Sequence, residues 1–419
     1  MSKLKIAVIG SGISGLSSAW LLSNYAEVDV FEKNDYLGGH TNTVTINTSA
    51  NENIDVDTGF IVFNRLNYPN FSKFLDYLRI KTYKSDMSFS ASIVHKNLEY
   101  SGKNLNTIFC QRKNIFNLSF WKMLMDIIRF FNNAKKDLQN FSNYTISDYL
   151  SEKKYSEQFI NDFLFPMAGS IWSMKLRDIG KYPFSSFVNF FDNHGLLNFF
   201  YRPQWETIKG GSKKYIKKIM SEKKIKTILK EEVISIKRNG KNLDVFTTNR
   251  KKNFNHVIFA NHSNEALKIL KDLDLDEKQY LSKIKYQKNT AYLHSDDSLM
   301  PKSFKTWSSW NYISSKKDNL CVTYWMNFLQ HLETSQNIFV TLNPHKLPKK
   351  TTIFRKINYS HPIFDKNAVY AQKFISNKNN KNNKNIWFCG AYLGYGFHED
   401  GIKSGLEVAE KIIKSKRPW

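Results

Sequence analysis

Ile6-Ala7-Val8-Ile9 is an unbroken apolar run that ends in Gly10-Ser11-Gly12-Ile13-Ser14-Gly15, and beyond it Leu16, Ala19, Leu21 and Leu22 recur at roughly helical spacing. The pattern predicts a strand over Lys5–Ile9, a glycine turn and a helix. A second strand, Val28-Asp29-Val30-Phe31, ends at Glu32. Much later, Glu231-Glu232-Val233-Ile234-Ser235-Ile236 and Leu243-Asp244-Val245-Phe246 alternate in polarity around Asn239-Gly240, the signature of a hairpin. Val257-Ile258-Phe259-Ala260 before Asn261-His262 reads as a buried strand. So does Ile386-Trp387-Phe388-Cys389, which runs into Gly390-Ala391 and leads through Tyr392–Ile402 to a helix reaching Lys414. Strands separated by helical patterns imply an α/β class with a parallel sheet.

Between these segments, Phe116, Phe120, Met123, Leu124, Ile127, Ile128 and Phe131 recur at helical spacing, with Lys122, Arg129, Lys135 and Lys136 interspersed. An amphipathic helix over 116–136 is predicted. Two readings fit it: a core-facing helix, the commoner case, or an interfacial helix gripping anionic lipid.

At 419 residues the chain exceeds a single ordinary core, so two domains are expected. The 41% hydrophobic and 15% aromatic content removes the signature of disorder. Lys and Arg number 62 against 37 Asp and Glu, a formal +25 that attracts phosphates of any origin. The lysine-rich stretch from Lys213 to Lys230 suits a solvated face, and no nucleic-acid module is visible, so no nucleic-acid partner is expected. Cys110, Cys321 and Cys389 are too scattered for a disulfide framework or a CxxC motif, which fits a reducing cytoplasm. No apolar stretch reaches the roughly 18–20 residues of a spanning helix, and the opening strand leaves no room for a signal peptide. Membrane contact is therefore expected only at the periphery of the cytoplasmic side. No Ser/His/Asp arrangement and no cluster with metal-ligand spacing appears, so hydrolase and metalloenzyme readings drop out and no metal is expected.

The glycine turn carries a specific chemistry. Gly10 permits the tight turn, Gly12 lets the backbone approach a pyrophosphate, and Gly15 lets the helix pack on the strand, while Ile13 and Ser14 open the helix whose N–H groups face the phosphates. Glu32, twenty residues past Gly12, can accept hydrogen bonds from ribose hydroxyls, with Lys33 beside it. Two further glycine turns follow closely, Leu37-Gly38-Gly39-His40-Thr41 and Val56-Asp57-Thr58-Gly59-Phe60. A nicotinamide domain has no need of them.

On these residues the chain resembles the flavin amine oxidase and phytoene desaturase superfamily. Within it the likeness is to a bacterial group of NAD/FAD-binding proteins often found beside cyclopropane-synthase-like methyltransferases. Asn67-Tyr68-Pro69-Asn70-Phe71, Ala168-Gly169-Ser170-Ile171-Trp172-Ser173, Arg202-Pro203-Gln204-Trp205, Gly210-Gly211-Ser212 and the Gly-Phe-His-Glu-Asp-Gly run at 396–401 extend it over most of the chain. The resemblance implies a Rossmann-type (GR2-like) FAD-binding domain over 1–65, 205–265 and 381–419, and an interleaved α+β substrate domain over 66–204 and 266–380. It implies FAD as cofactor, with Gly39, His40 and Thr41 along the pyrophosphate, where the family usually has Arg in place of His40. Thr58, Gly59 and Gly390 join them. Val233 lies at the adenine, and Asp400, Gly401 and Ile402 at the flavin O2 region. It further implies an apolar substrate, the acyl chain of a phospholipid or fatty acid being dehydrogenated, with an amine oxidase or a fatty-acid isomerase or reductase as alternatives. His398 and Tyr395 are the candidates beside the flavin ring, His398 also as proton donor or acceptor near neutral pH, and Trp172 and Trp205 the candidate substrate walls.

Overall fold

The computed structural model describes residues 3–198, 202–272, 274–314, 320–380 and 385–419; residue 381, the expected start of the last FAD-domain segment, lies outside them. The predicted strand Lys5–Ile9 forms, and its position explains its apolar run: it is the middle of a five-stranded parallel sheet ordered Lys226–Ile228, Glu27–Phe31, Lys5–Ile9, His256–Phe259, Ile386–Phe388. A strand covered on both faces carries apolar residues at consecutive positions. Four distant parts of the chain meet in this sheet.

The helix Ile13–Leu22 covers one face, buried along its whole length, and His398–Ile413 packs on it. The approach is close enough to demand glycines. A Cβ at Gly15 would lie 2.0 Å from the Gly10 carbonyl oxygen, and one at Gly405 would lie 2.2 Å from that of Ser14. The predicted hairpin is present as Val233–Asn239 and Asn242–Thr247, extended by Lys251–Phe254 into an antiparallel sheet of three strands, with Gly240 at φ +60° in its turn.

The second layer is a seven-stranded sheet ordered Ile353–Ile363, Lys285–His294, Phe339–Leu342, Val322–Trp325, Trp310–Ser314, Phe89–Ile93, Leu98–Ser101. Neighbours run antiparallel except Trp310–Ser314 and Phe89–Ile93, which are parallel. Its core is shared with the helices between 118 and 193, where Phe130, Tyr149, Phe159, Phe184 and Phe187 are buried.

The packing departs from the expected domain limits at three helices. Pro69–Tyr77 sits with Trp20 and Trp419, Phe74 lying edge-on to Trp20 at 5.0 Å, while Leu275–Lys283 and Lys366–Asn380 join the core beneath Phe259 and Phe388. The faces of the parallel sheet need this cover, which the helices of the core segments alone do not supply. The amphipathic helix runs over Leu118–Asn133, with Asn117 capping it by accepting from the Ser119 and Phe120 amides at 3.0 and 3.3 Å; Phe116, Lys135 and Lys136 fall outside. None of the helices among the described residues is long and apolar enough to cross a membrane.

The helix contact makes a direct prediction. Gly405→Val places a branched side chain against the Ser14 carbonyl and should cost about 1–3 kcal/mol, read as a lowered thermal unfolding midpoint, whereas Gly102→Ala, where a Cβ meets nothing, should leave it unchanged.

Candidate functional site

One cavity of about 860 Å³ runs along the seam between the two sheets. Its polar end is built on the glycine turn. Gly10 holds φ +102° while its amide donates to the Phe31 carbonyl, joining the turn to the end of the second strand. A Cβ on Gly12 would meet no protein atom within 4 Å, so the backbone there is bare toward the cavity, and no side chain caps the helix that starts at Ile13. These are the conditions for a helix N-terminus to receive a phosphate. Glu32 lines the same end with both oxygens fixed: one accepts from Ser11 N (3.1 Å) and Oγ (2.6 Å), the other from Asn34 N (2.9 Å) and Nδ2 (2.8 Å). Lys33 pairs with Glu265 at 2.5 Å, and Val233 completes this part of the wall.

The second glycine pair lies on the first. The Gly38 amide donates to the Ser11 carbonyl (3.0 Å), and a Cβ on Gly39 would be 3.3 Å from the Gly12 Cα. His40 stacks on Tyr359 (4.8 Å between centroids, 25°) with His361 5.1 Å away. Burial first, then the neighbouring His361, holds its imidazole well below 6.5, so it is neutral where the family's arginine would be charged. Its Nε2 is buried with no partner among the described residues, as are Asn261 Oδ1 and Tyr392 OH on the same wall. Buried polar atoms ordinarily have partners, and three left without one on residues of a single cavity wall are compatible with a polar ligand there. Thr58 and Gly59 follow, Thr58 Oγ1 2.9 Å from Tyr359 OH, and Gly390 lies on the opposite wall.

Five expected cofactor contacts are not among the residues lining the cavity. Gly15 and Gly401 are helix-packing positions, a Cβ on Gly401 falling 2.7 Å from Ile13 Cγ2, and Ile402 is in the core. Thr41 bonds to the Tyr215 hydroxyl. The Asp400 carboxylate turns back to accept from Tyr395 N (3.0 Å) and Phe397 N (2.9 Å), shaping its own loop, and burial raises it to about 6. A second buried carboxylate does similar work: Asp57 accepts from Ser212 N at 3.0 and 2.9 Å and from Thr43 Oγ1 at 2.5 Å, tying the Gly210-Gly211-Ser212 turn to the strand Thr43–Asn47; burial raises it too to about 6.

His398 lines the cavity, but not as a group that titrates near neutrality. Its ring is stacked on Phe60 at 3.7 Å and 8°, Phe71 meets it edge-on, and its Nε2 lies 3.0 Å from Tyr215 OH. Burial holds it to about 3. The chain sequence could not show this, because Phe60 and Tyr215 reach the ring from far segments. Tyr395 is half-buried on the same wall, 5.8 Å from the Phe190 ring.

The other end of the cavity is apolar. Trp172 and Trp205 both line it, with Met87, Phe89, Met167 and Trp310. Trp172 also packs against Tyr182 and Phe190 at 4.7 Å each. His194, missed in the sequence for want of any motif, stacks on Phe190 at 3.9 Å and its Nδ1–H donates to the Phe190 carbonyl at 2.9 Å. Its other nitrogen is then an acceptor, and burial holds the ring to about 4. Tyr359, His361 and Tyr392 were also missed; the first two arrive on a strand of the other sheet. No cluster of His, Cys, Asp or Glu suited to a metal ion occurs among the described residues.

Two predictions follow from this geometry. Gly12→Ala should keep the folded stability, since its Cβ meets no protein atom within 4 Å, yet lower bound dinucleotide by at least about tenfold, measured as cofactor absorbance per chain. The second concerns acid. His398, His194 and His361 are depressed to about 3, 4 and 4, so the stability they contribute is full above about 6.5 and is lost as pH falls through that window. Asp57 and Asp400, raised to about 6, act oppositely, their cost growing as pH rises from 3.8 to about 6. With His40 the rings outnumber the carboxyls, so the melting temperature should fall between pH 6.5 and 5, and His398→Asn should flatten that slope.

Residues 8–78 match the family described as an NAD(P)-binding Rossmann-like domain. No curated protein matches the chain in sequence. Among solved structures, a putative protoporphyrinogen oxidase from Exiguobacterium sp. 255-15 superposes with TM-score 0.71 at 12% identity, over 98% of this chain and 99% of that one. A cyclohexylamine oxidase from Brevibacterium oxydans IH-35A gives 0.69 at 13% over 98% and 100%. A CLA-producing fatty acid isomerase from P. acnes gives 0.68 at 12% over 99% of both chains. The chain therefore carries an NAD(P)-binding Rossmann-like domain within the fold shared by these oxidases and this isomerase, the fold that its resemblance to the flavin amine oxidase superfamily implies.

Proposed function

We propose that the protein is an FAD-dependent oxidoreductase that dehydrogenates an acyl chain. The observation that carries this reading is one continuous cavity, whose polar end is bare at Gly12 and walled by residues with unpartnered polar atoms, and whose far end is rich in apolar and aromatic side chains. The polar end fits FAD: the helix starting at Ile13 for the pyrophosphate, Glu32 for the ribose, the backbone at Val233 for the adenine, and neutral His40, Asn261 and Tyr392 for remaining polar atoms. FAD, when bound, accepts a hydride from a C–H bond held against its ring.

This chain's residues then have two tasks. Trp172, Trp205, Met167 and Phe89 exclude water and hold an apolar chain along the wall. The neutral His194 and the Tyr395 hydroxyl offer the polar contacts at that end. An amine substrate is disfavoured, because the carboxylates of the cavity wall, such as Glu32 and Glu265, stand at the nucleotide end and the chain's +25 repels cations. The oxidases and the isomerase sharing this fold fit either a net oxidation or a bond shift. A second reading, isomerisation of an unsaturated chain, is favoured by the depressed histidines: returning the same hydride to another carbon needs no protein base, whereas desaturation must release a proton.

Anaerobic mixing with unsaturated or methyl-branched fatty acids and phospholipids, and separately with amines, separates these readings. Flavin bleaching by the acyl compounds alone supports dehydrogenation. Movement of a double bond without lasting bleaching supports isomerisation, and bleaching by an amine alone overturns both. Met167→Trp, which narrows the apolar end, should raise KM by about tenfold with flavin content unchanged.

A further inference from the structure

The helix Leu118–Asn133 is apolar on two faces. Phe120, Met123, Ile127, Phe130 and Phe131 are buried against the second domain, as a core-facing helix requires. On the opposite side Leu118, Trp121, Met125 and Ile128 are exposed, Leu118 at 84% and Met125 at 59%. At about 100° per residue these four fall within a stripe roughly 80° wide, and Lys122 and Arg129 flank it on one edge. The preceding turn adds Ile115 and Phe116, the latter 88% exposed, beside exposed Arg112 and Lys113.

The platform is rigid. Trp121 Nε1 donates to the Ile115 carbonyl at 2.8 Å and its ring lies 5.3 Å from Phe109, so the turn and the helix present one surface. Its charge is one-sided. From Tyr100 to Lys136 there are seven Lys and Arg, and the one acidic residue, Asp126, is buried and paired with Arg129 at 3.0 Å. Lys113 and Lys122 have no acidic partner among the described residues. An aqueous surface does not explain exposed Leu, Phe, Trp and Met in one stripe, and a cationic rim selects what covers it.

We propose that this surface docks on an anionic phospholipid bilayer, with Phe116, Leu118, Trp121, Met125 and Ile128 entering the acyl boundary and Arg112, Lys113 and Lys122 meeting the phosphates. A headgroup layer matches both features together: an apolar stripe inserts a few ångströms while the adjoining cations stay at the phosphate level. The surface is also near the cavity. Phe120 packs on Tyr100 (6.0 Å), which lies on the strand paired with Phe89–Ile93, and Phe89 lines the apolar end. The inference does not depend on which reaction the cavity performs.

The test uses the FAD-loaded protein and vesicles of phosphatidylcholine with and without phosphatidylglycerol, read by flotation. Binding to the anionic vesicles, weakened by salt and lowered at least about tenfold in Leu118→Ser/Met125→Ser, is the expected result. Both changes are at exposed positions, so flavin content and melting temperature should match the unaltered protein. Absence of flotation, or flotation unchanged in the double variant, overturns the proposal. So does a dimer in sedimentation that the double variant abolishes, since a second copy would then cover the stripe. Turnover is not measured, so this test fails or succeeds independently of the acyl-chain reading.

Discussion

Gly401 touches Ile13, and Gly405 touches Ser14 and Ser17. Those contacts make the last helix run beside the first in the same direction, so that both helices begin at one cavity, at Ile13 and His398. Two positive helix ends converge there without a single lysine or arginine having to be buried. Everything else in the nucleotide domain accommodates this pairing: glycines at the contacts, strands buried on both faces, and carboxylates at Asp57 and Asp400 that hold the flanking turns instead of facing the ligand. A branched residue in the seam would separate the helix ends that the site requires together.

The cavity's electrostatics follow from the same economy. His40, His194, His361 and His398 all line it and all are held neutral by burial. The wall thus offers hydrogen bonds and aromatic surface while gathering its carboxylates at the nucleotide end, in Glu32, Glu231, Glu232 and Glu265, with Arg202 beside Trp205 as the cation toward the other end. That division suits a charged dinucleotide at one end and an uncharged reacting carbon at the other.

Local chemistry made much of this legible in the sequence. The glycine turn, Glu32 and the Asn239-Gly240 hairpin each signal themselves within a few residues, because turn geometry and period-2 burial leave local marks. Fold-level expectation therefore held, and Gly12, Gly39, His40 and Val233 stand on the cavity wall. His398 stands on the cavity wall as well, but its neutrality was not legible for a non-local reason: the groups that define it, Phe60 and Tyr215, are brought by other segments. The loop-holding bonds of the Asp400 carboxylate were not legible either, because a short acidic side chain before a helix serves its own loop as readily as a ligand. His194 and Tyr359 carry no motif, since their position depends on how a helix and an eleven-residue strand cross the seam. The helix Leu118–Asn133 was legible as amphipathic, but periodicity alone did not reveal that its outer face is also apolar.

The parallel sheet closes only when Ile386–Phe388 aligns beside His256–Phe259, and these strands are separated from Lys5–Ile9 by most of the chain. Residues 8–78 contain the glycine turn, yet lack the strand Val233–Asn239, Asn261, Tyr392 and the final helix. A nascent polypeptide would thus carry a recognisable nucleotide motif throughout its synthesis without a place to keep the nucleotide. Such distant pairings form late and slowly. The cavity is consequently complete only with residues 386–413 in place, so a chain that stops short of them has the nucleotide motif without the enclosure around it.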